Sequence, residues 1–267
     1  MVAETDIRSN RSLARVVVAI PCLNEAAAIQ ELVRHWRRVL PEAEIVVFDN
    51  ASTDGTAAEA RLAGAVVELV PTPGKGHVIQ AIFERYRDRA AVLITDGDGT
   101  YPPERGLDLL EPVLDGRCEM SVGRRCPVAV EGSPGMAPVR WVGNRLLRFA
   151  FRCLIGRGPG DFLSGYRVFS PRMLREIQPR SAGFEIETEL AGEAVTRGYR
   201  VLEIDVPYYP RVAGTQSKLR AGRDGLRIIC CMFDLAARQR LYRVLLLVML
   251  GLIAIVGLVR LFFRVLG

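Results

Sequence analysis

The stretch that decides the fold runs Val92-Leu93-Ile94-Thr95-Asp96-Gly97-Asp98-Gly99-Thr100-Tyr101-Pro102. A short apolar run of strand character ends in two aspartates that are separated by one glycine. Parallel sheets present carboxylates in this way at their carboxyl edge, where open α/β sheets bind ligands. Asp96 and Asp98 together can bind one divalent cation, and their hard oxygen atoms favour Mg²⁺ or Mn²⁺. On spacing alone, a polar Asp-Gly turn that closes a strand remains the alternative.

Apolar strands and amphipathic helices alternate on both sides of this stretch. We predict strands over residues 15–21, 44–48, 65–70 and 90–95, with helices over 26–40, after 56, and over 75–87. Such alternation predicts an α/β fold, a mostly parallel, Rossmann-like sheet flanked by helices with a crevice at its carboxyl edge. Beyond it we expect helices over 103–114, 139–154 and 184–197, strands over 120–122, 167–170 and 200–206, and a Gly/Pro-rich loop over 126–138.

Charge is unevenly distributed along the 267 residues. From Arg200 onward, eleven Lys and Arg residues stand against four Asp and Glu residues, which predicts an anionic partner surface near the C-terminal part. Basic residues there are not interleaved with aromatic ones, so we expect a membrane and no nucleic acid. The six cysteines lack zinc-ligand spacing, and we expect reduced cytosolic thiols that mostly fill the core.

The C-terminal part of the sequence resembles a membrane anchor. Val244 to Val259 is a run of sixteen residues without a charge, and Arg238, Arg240 and Arg243 precede it. We predict a transmembrane or anchoring helix over 243–267 and an amphipathic juxtamembrane helix over 220–242, behind a flexible N-terminus at 1–14. The positive-inside rule then places the large domain on the cytoplasmic side of the cell membrane. The alternatives are a buried C-terminal helix and a surface helix docked on its own domain.

Six segments, in this order, are similar to one family: Ile20-Pro21-Cys22-Leu23-Asn24-Glu25, Asp49-Asn50-Ala51-Ser52-Thr53-Asp54-Gly55-Thr56, Gly74-Lys75-Gly76, the Asp96/Asp98 pair, Asp161-Phe162-Leu163-Ser164-Gly165-Tyr166-Arg167, and Arg211-Val212-Ala213-Gly214-Thr215-Gln216-Ser217-Lys218. Together they resemble the family 2 glycosyltransferases with a GT-A fold, in the branch of dolichol-phosphate mannosyltransferase and the polyprenyl-phosphate glycosyltransferases. The resemblance implies a catalytic domain over 15–219. It also implies inverting transfer of a hexose from a GDP- or UDP-sugar to a dolichyl or undecaprenyl phosphate.

The resemblance also implies a set of donor-binding residues. It assigns the nucleoside to Pro21, Glu25 and Asp49, a phosphate to Lys75, and the metal-diphosphate, with Mg²⁺ or Mn²⁺, to Asp96 and Asp98. Arg211 and Lys218 would clamp the diphosphate, in a loop that turns at Gly214. Glu189 matches a helix glutamate that faces the donor sugar, with Glu185 and Glu187 as rivals.

On the acceptor side, the resemblance implies that Arg125, Arg140 and Asn144 hold the lipid phosphate, with Arg124 a rival of Arg125. Asp161 matches the candidate base of the family. A phosphate is already ionised near pH 7, since its second pKa is about 6, so Asp161 can equally orient the acceptor or an arginine. The predicted catalytic residues are therefore Asp98, Asp161 and Arg211. For Arg167, a structural role and a functional role both stay open.

The chain departs from the family at Thr100, where several relatives carry glutamine, which puts a third metal contact in doubt. Two other functions stay open. One is transfer to a glycolipid or polysaccharide, and the other is an inactive GT-A scaffold. The sequence leaves open the sugar, the nucleotide, the isoprenoid length and homo-oligomer formation.

Overall fold

The central strand of the fold is β1, Val16–Cys22, and its first five residues are fully buried. A strand that is apolar on both faces belongs to a sheet that helices cover on both sides. The computed structural model describes residues 13–128, 138–218, 220, 222–238 and 249, excluding the side chains of residues 138–142. The other strands in this part of the chain are β2 Glu44–Asp49, β3 Val66–Leu69, β4 Ala91–Ile94, β5 Met120–Pro127, β6 Arg167–Phe169 and β7 Val201–Tyr208.

These strands form one mixed sheet in the order β3-β2-β1-β4-β6-β5-β7. Strand β6 runs antiparallel to its neighbours β4 and β5, and the other pairs are parallel. Six strands therefore end at the same edge of the sheet, and β6 begins there. This arrangement brings the segments after β1, β2 and β4, and the segment before β6, to one crevice.

Helices lie against the sheet and after its strands. They are α1 Ala26–Val39, α2 Thr56–Leu62, α3 Lys75–Arg85, α4 Gly106–Leu114 (after a 3₁₀ turn, Pro103–Arg105), α5 Pro138–Leu154, α6 Pro171–Glu176, α7 Ile186–Thr196 and α8, residues 222–238. Alternate residues of β1 point into two separate cores. Helices α1 and α4 cover one face of the sheet, while α3, α6 and α7 cover the other. A third cluster joins α5 to α8 through Phe151, Leu154, Ile228 and Met232.

The predicted mostly parallel α/β sheet is confirmed, with three corrections. Strand β5 extends to Pro127, because residues 126 and 127 pair with Pro207 and Tyr208, so the predicted loop begins later. The short helix α6 is an addition. Ser170 caps it, since the Ser170 side chain accepts a hydrogen bond from the Met173 N–H. The third correction concerns the cysteines, which do not mostly fill the core. All six lie within the described residues and are free, but only Cys22 and Cys118 are buried, and Cys230 is exposed.

Several predicted segments lie outside the described residues. These are residues 1–12 of the N-terminus, 129–137 of the loop, 239–242 of the juxtamembrane helix and, apart from Met249, the anchor 243–267. No helix in the described part of the chain is both long and apolar enough to cross a bilayer. Helix α8 lies within the predicted juxtamembrane segment. Ile228 and Met232 are buried in the cluster shared with α5, whereas Leu226, Ile229 and Phe233 are exposed.

The first amides of α1 are capped by a neighbouring loop. The Glu25 N–H donates to Thr56 Oγ1 at 2.9 Å, and the Ala26 N–H donates to Asp54 Oδ2 at 3.2 Å. Asp54 also caps its own helix, α2, by accepting from the Thr56 N–H at 2.9 Å. Burial works to raise the pKa of Asp54, but the hydrogen bonds from Thr56 and Ala26 outweigh it and lower the pKa. One aspartate therefore holds two helix starts together.

We predict that Asp54→Ala lowers the free energy of unfolding by about 2 kcal/mol, because amides of two helices lose a cap. Since the pKa of folded Asp54 lies below its ordinary value of 3.8, this contribution is present above about pH 4 and is lost as the pH falls through the lowered pKa. Urea denaturation at pH 7 and at pH 3 measures both effects.

The matched control is Asp88→Ala, because the Asp88 side chain is 81% exposed and forms a long ion pair with Arg175 at 3.6 Å. We expect a change within about 0.5 kcal/mol. An equal loss in both variants, or a loss for Asp54→Ala that is the same at both pH values, would contradict the double cap.

Candidate active site

Asp98, after β4, is buried at the crevice and held from two sides. Its Oδ1 accepts hydrogen bonds from the Thr100 N–H at 3.1 Å and the Thr100 hydroxyl at 2.7 Å, and its Oδ2 pairs with Arg211. Burial and the negative charge of Asp96 raise the pKa of Asp98, against the opposing effect of Arg211. Thr100 thus orients this carboxylate.

Asp96 lies beside Asp98 and is paired with Lys75. The Lys75 ammonium contacts Asp96 Oδ1 at 2.6 Å and Glu187 Oε1 at 2.6 Å. Burial works to raise the pKa of Asp96, but the charge and hydrogen bond of Lys75 lower it. Burial likewise works to lower the pKa of Lys75, and its two carboxylate partners raise it. Lys75, which the sequence assigned to a phosphate, here bridges two acids.

The predicted nucleoside residues lie together at the ends of β1 and β2. Cys22 pairs with Asp49 in the sheet, and Pro21 lies one residue earlier, beside Gly97. Glu25 and Asp49 are buried, and each has one carboxylate oxygen (Glu25 Oε2, Asp49 Oδ1) without a hydrogen-bond partner. Burial raises the pKa of Glu25, and its contact with Lys218 works against that rise. Buried acceptors without a partner suit a ligand that donates hydrogen bonds.

A loop over residues 209–218, which we call the strap, crosses the crevice. The Tyr209 N–H donates to the Thr100 oxygen at 2.9 Å, Arg211 pairs with Asp98, and Lys218 contacts Glu25 at 2.9 Å. Gly214 has a φ of 92°, which confirms the predicted turn. The two cations predicted to clamp a diphosphate are therefore paired with two acids of the crevice.

Glu189 contacts the loop that precedes its helix. Its carboxylate accepts hydrogen bonds from the backbone N–H groups of Arg180 at 2.9 Å and Ser181 at 2.7 Å, so it holds a loop. Glu185 likewise accepts from the Gly183 N–H at 3.0 Å. Glu187 is the member of this trio that contacts Lys75 at the crevice.

Arg125 and Arg124 point to opposite sides of β5. The Arg124 side chain is 51% exposed and forms an ion pair with Asp205. The Arg125 side chain is 26% exposed and donates hydrogen bonds to Asp161 from Nε at 2.7 Å and from Nη2 at 2.6 Å. The Arg125 guanidinium also lies 5.6 Å from the centre of the Tyr208 ring. This alternation favours Arg125, the residue predicted first, as the one that faces the crevice.

Asp161 accepts two hydrogen bonds from the Arg125 guanidinium through its carboxylate. Its own N–H donates to Glu203 Oε1 at 2.6 Å, and it also accepts from the Arg125 N–H at 3.1 Å. Burial works to raise the pKa of Asp161, but the hydrogen bonds and charge of Arg125 lower it. A carboxylate with a lowered pKa is a weak base, which favours the orienting role over the base role.

Asn144 and Arg140 both belong to α5. Asn144 is half-buried, and the Arg140 side chain lies outside the described residues. One residue that the sequence analysis missed is Asn50, whose side chain donates to the Val70 and Thr72 oxygens at 2.9 and 2.7 Å and accepts from the Gly74 N–H at 2.7 Å. Asn50 thereby fixes the loop that leads to Lys75. Its place directly after Asp49 at a strand end was the available signal.

The pair Asp96 and Asp98 fits a divalent cation that is completed by a ligand. Within the described ranges, no group of three or more His, Cys, Asp or Glu side chains could hold a metal ion. Mg²⁺ is commonly bound by one or two carboxylates plus substrate phosphates, so two aspartates suffice. The raised pKa of Asp98, caused in part by Asp96, reflects a repulsion that a cation would relieve.

We predict that Gly165→Ala displaces Asp96 and weakens Mn²⁺ binding about tenfold or more. A Cβ at residue 165 would lie 2.7 Å from both carboxylate oxygens of Asp96, so the carboxylate must move. Titration of Mn²⁺ by electron paramagnetic resonance measures the affinity, and a thermal melt checks the fold.

Gly225→Ala is the control, because a Cβ there meets no atom within 4 Å. It should leave the Mn²⁺ affinity unchanged. Unchanged affinity in Gly165→Ala as well would show that Asp96 is not a metal ligand.

Comparison with known proteins agrees with this geometry. The family model described as Glycosyl transferase family 2 matches residues 17–177. Glycosyltransferase AglJ of Haloferax volcanii is 35% identical over 210 residues, which cover 79% of this chain and 68% of that protein. Polyprenol monophosphomannose synthase of Mycolicibacterium smegmatis is 28% identical over 251 residues, which cover 88% of this chain and 90% of that protein.

The fold is also similar to that of a solved glycosyltransferase. Glucosyl-3-phosphoglycerate synthase from Mycobacterium tuberculosis, in complex with Mn²⁺, UDP-glucose and phosphoglyceric acid, aligns with a TM-score of 0.65 and 21% identity, covering 83% of this chain and 79% of that one. This likeness concerns the fold, which is of the GT-A type. On the family match and the relatives, the chain belongs to glycosyltransferase family 2 and is a glycosyltransferase.

Proposed function

We propose that the protein transfers a hexose from a nucleotide-sugar to the phosphate of a polyprenyl lipid at the cytoplasmic face of the cell membrane. The observation that carries the proposal is the meeting of two kinds of site at one sheet edge. The acidic pair Asp96 and Asp98 suits a cation-bound diphosphate, and Arg125 lies near enough for its charge to help lower the pKa of Asp96. The name of the mycobacterial relative, a polyprenol monophosphomannose synthase, supports the acceptor class.

Donor binding requires an exchange of partners. The buried oxygens Glu25 Oε2 and Asp49 Oδ1 accept hydrogen bonds from the nucleoside. Arg211 leaves Asp98, and Lys218 leaves Glu25, so that both cations of the strap bind the diphosphate. Asp96, held by Lys75, and Asp98, held by Thr100, would then bind Mg²⁺ or Mn²⁺, which when bound offsets the charge that develops on the leaving diphosphate.

The acceptor phosphate binds at Arg125. Asp161 occupies Nε and one proton of Nη2, which leaves the Nη1 protons of the guanidinium for phosphate oxygens. An ionised phosphate oxygen attacks the anomeric carbon, and the bond from that carbon to the diphosphate breaks. No proton has to be removed from the acceptor, so the orienting role of Asp161 is sufficient. Arg140 and Asn144 remain proposed acceptor residues on α5.

Exposed apolar side chains on two adjacent helices support membrane association. Helix α8 exposes Leu226, Ile229 and Phe233, and α5 exposes Leu146 and Phe149. The two helices pack on each other through their opposite faces. Amphipathic helices of this kind lie at the membrane interface with the apolar face in the bilayer. The proposed anchor at 243–267 would follow α8 directly.

We predict that Asp98→Asn reduces sugar transfer about 100-fold or more, because a neutral amide cannot replace the carboxylate as a cation ligand. The fold should persist, since the amide keeps the shape of the side chain and a hydrogen-bond acceptor for Thr100. Transfer is measured with radiolabelled GDP- and UDP-sugars in the presence of Mn²⁺.

Asp205→Asn, on the exposed ion pair with Arg124, serves as control and should retain full transfer. If Asp98→Asn keeps most of its activity, the metal assignment is wrong. If the unmodified enzyme transfers no sugar to any acceptor, the proposal of an inactive scaffold gains instead.

We further predict that Arg125→Gln raises the KM for polyprenyl phosphate by about 10- to 100-fold, because the acceptor phosphate loses a charge-assisted hydrogen bond. The KM for the donor should be unchanged. Arg124→Gln, on the opposite side of the same strand, should change neither KM. Both variants are assayed against polyprenyl phosphate and a panel of glycolipids. Preferred transfer to a glycolipid, or equal effects of the two substitutions, would contradict the proposed acceptor site.

A further inference from the structure

A small cavity lies behind the crevice, between the sheet and α7. The space open to the centre of a water molecule measures about 10 Å³. This is enough for one water molecule. Most of its lining is apolar, from residues such as Ile94, Phe169 and Leu190. The charged residues of the lining are Lys75, Arg167 and Glu187.

Two oppositely charged groups of this lining each have an atom without a partner. Arg167 Nη1 and Glu187 Oε2 are buried, and neither has a hydrogen-bond partner among the residues that the structure describes. The residues are 2% and 6% exposed. A buried charged atom without a partner costs free energy, and buried waters typically bind such atoms.

The other atoms of both side chains are fixed. Arg167 donates from Nε to the Ser164 oxygen at 2.8 Å and from Nη2 to the Phe162 oxygen. Glu187 Oε1 contacts Lys75, and Lys75 contacts Asp96, each at 2.6 Å. Arg167 Nη1 and Glu187 Oε2 therefore remain available to the cavity.

We propose that one ordered water molecule bridges Arg167 Nη1 and Glu187 Oε2, and that Arg167 and Glu187 act through this bridge as positioning residues for Lys75 and Asp96. The inference deepens the proposed function, because the role of Asp96 rests on it. The chain of contacts runs from Arg167 through the water to Glu187, then to Lys75 and Asp96.

The chain sets how Lys75 is shared between two carboxylates. Without the charge of Glu187, Lys75 binds Asp96 alone and reduces its attraction for a metal ion. Without the charge of Arg167, Glu187 attracts Lys75 more strongly and leaves Asp96 freer for a metal ion. The two substitutions therefore act in opposite directions on metal affinity. A merely structural role would weaken metal binding in both.

The first test measures the dissociation constant of Mn²⁺ for the full chain by electron paramagnetic resonance. We expect Glu187→Gln to weaken Mn²⁺ binding about tenfold and Arg167→Gln to strengthen it. The dissociation constant of the double variant should be closer to that of the unmodified protein than the dissociation constant of Glu187→Gln is. Glu193→Gln, on the same helix and paired with Arg197, is the control and should have no effect. Weakening by both single substitutions would overturn the positioning role.

The second test is a crystal structure at a resolution that shows ordered water. Density within hydrogen-bonding distance of both Arg167 Nη1 and Glu187 Oε2 supports the bridge. A direct Arg167–Glu187 ion pair, or no density between the two atoms, overturns it. This measurement remains decisive for the bridge if Arg167→Gln does not fold.

The two proposals fail in different ways. If the unmodified protein transfers sugar and binds Mn²⁺ but the single variants shift affinity in the same direction, the positioning inference is wrong and the proposed function stands. If the unmodified protein binds no Mn²⁺ and transfers no sugar, the proposed function and the role at Asp96 fail together. The density between Arg167 and Glu187 then still decides the water bridge.

Discussion

The crevice depends on a balance of buried charge. Parallel strands deliver Glu25, Asp49, Asp96 and Asp98 to one edge of the sheet, where water is largely excluded and like charges repel strongly. Basic side chains from outside these strand ends offset the negative charge of the carboxylates, and several of them contact an acid of the site directly. The strand ends place the acids, and the start of α3 and the strap place the bases that contact them.

This division explains how the site can receive an anion without first acquiring new charges. Acids hold the strap cations Arg211 and Lys218 at the crevice. A diphosphate can bind these two cations in place of the acids, while a metal ion binds Asp98 in place of Arg211. Removing one partner of a buried pair is costly unless another charge replaces it. Metal and nucleotide are therefore expected to favour each other's binding.

Sequence patterns were sufficient for the sheet and for the residues at strand ends, because buried apolar runs and the turns after them are local signals. Local sequence patterns did not show which of Glu185, Glu187 and Glu189 faces the crevice. Residues two apart on a helix lie on different faces, and which face meets the crevice is set by packing. The antiparallel position of β6 was equally hidden, since only three residues form that strand and its partners are distant in sequence.

The shared cap between the loop at Asp54 and the start of α1 makes the two halves of the proposed nucleotide pocket unequal. The proposed nucleoside half is pre-organised, because Thr56 and Asp54 hold the backbone at Glu25 and Ala26 through hydrogen bonds. The strap is mostly exposed, and the proposed exchange of partners by Arg211 and Lys218 requires it to rearrange. Most of the conformational entropy lost on binding should therefore come from the strap, so changes that rigidify it would tighten donor binding and slow product release.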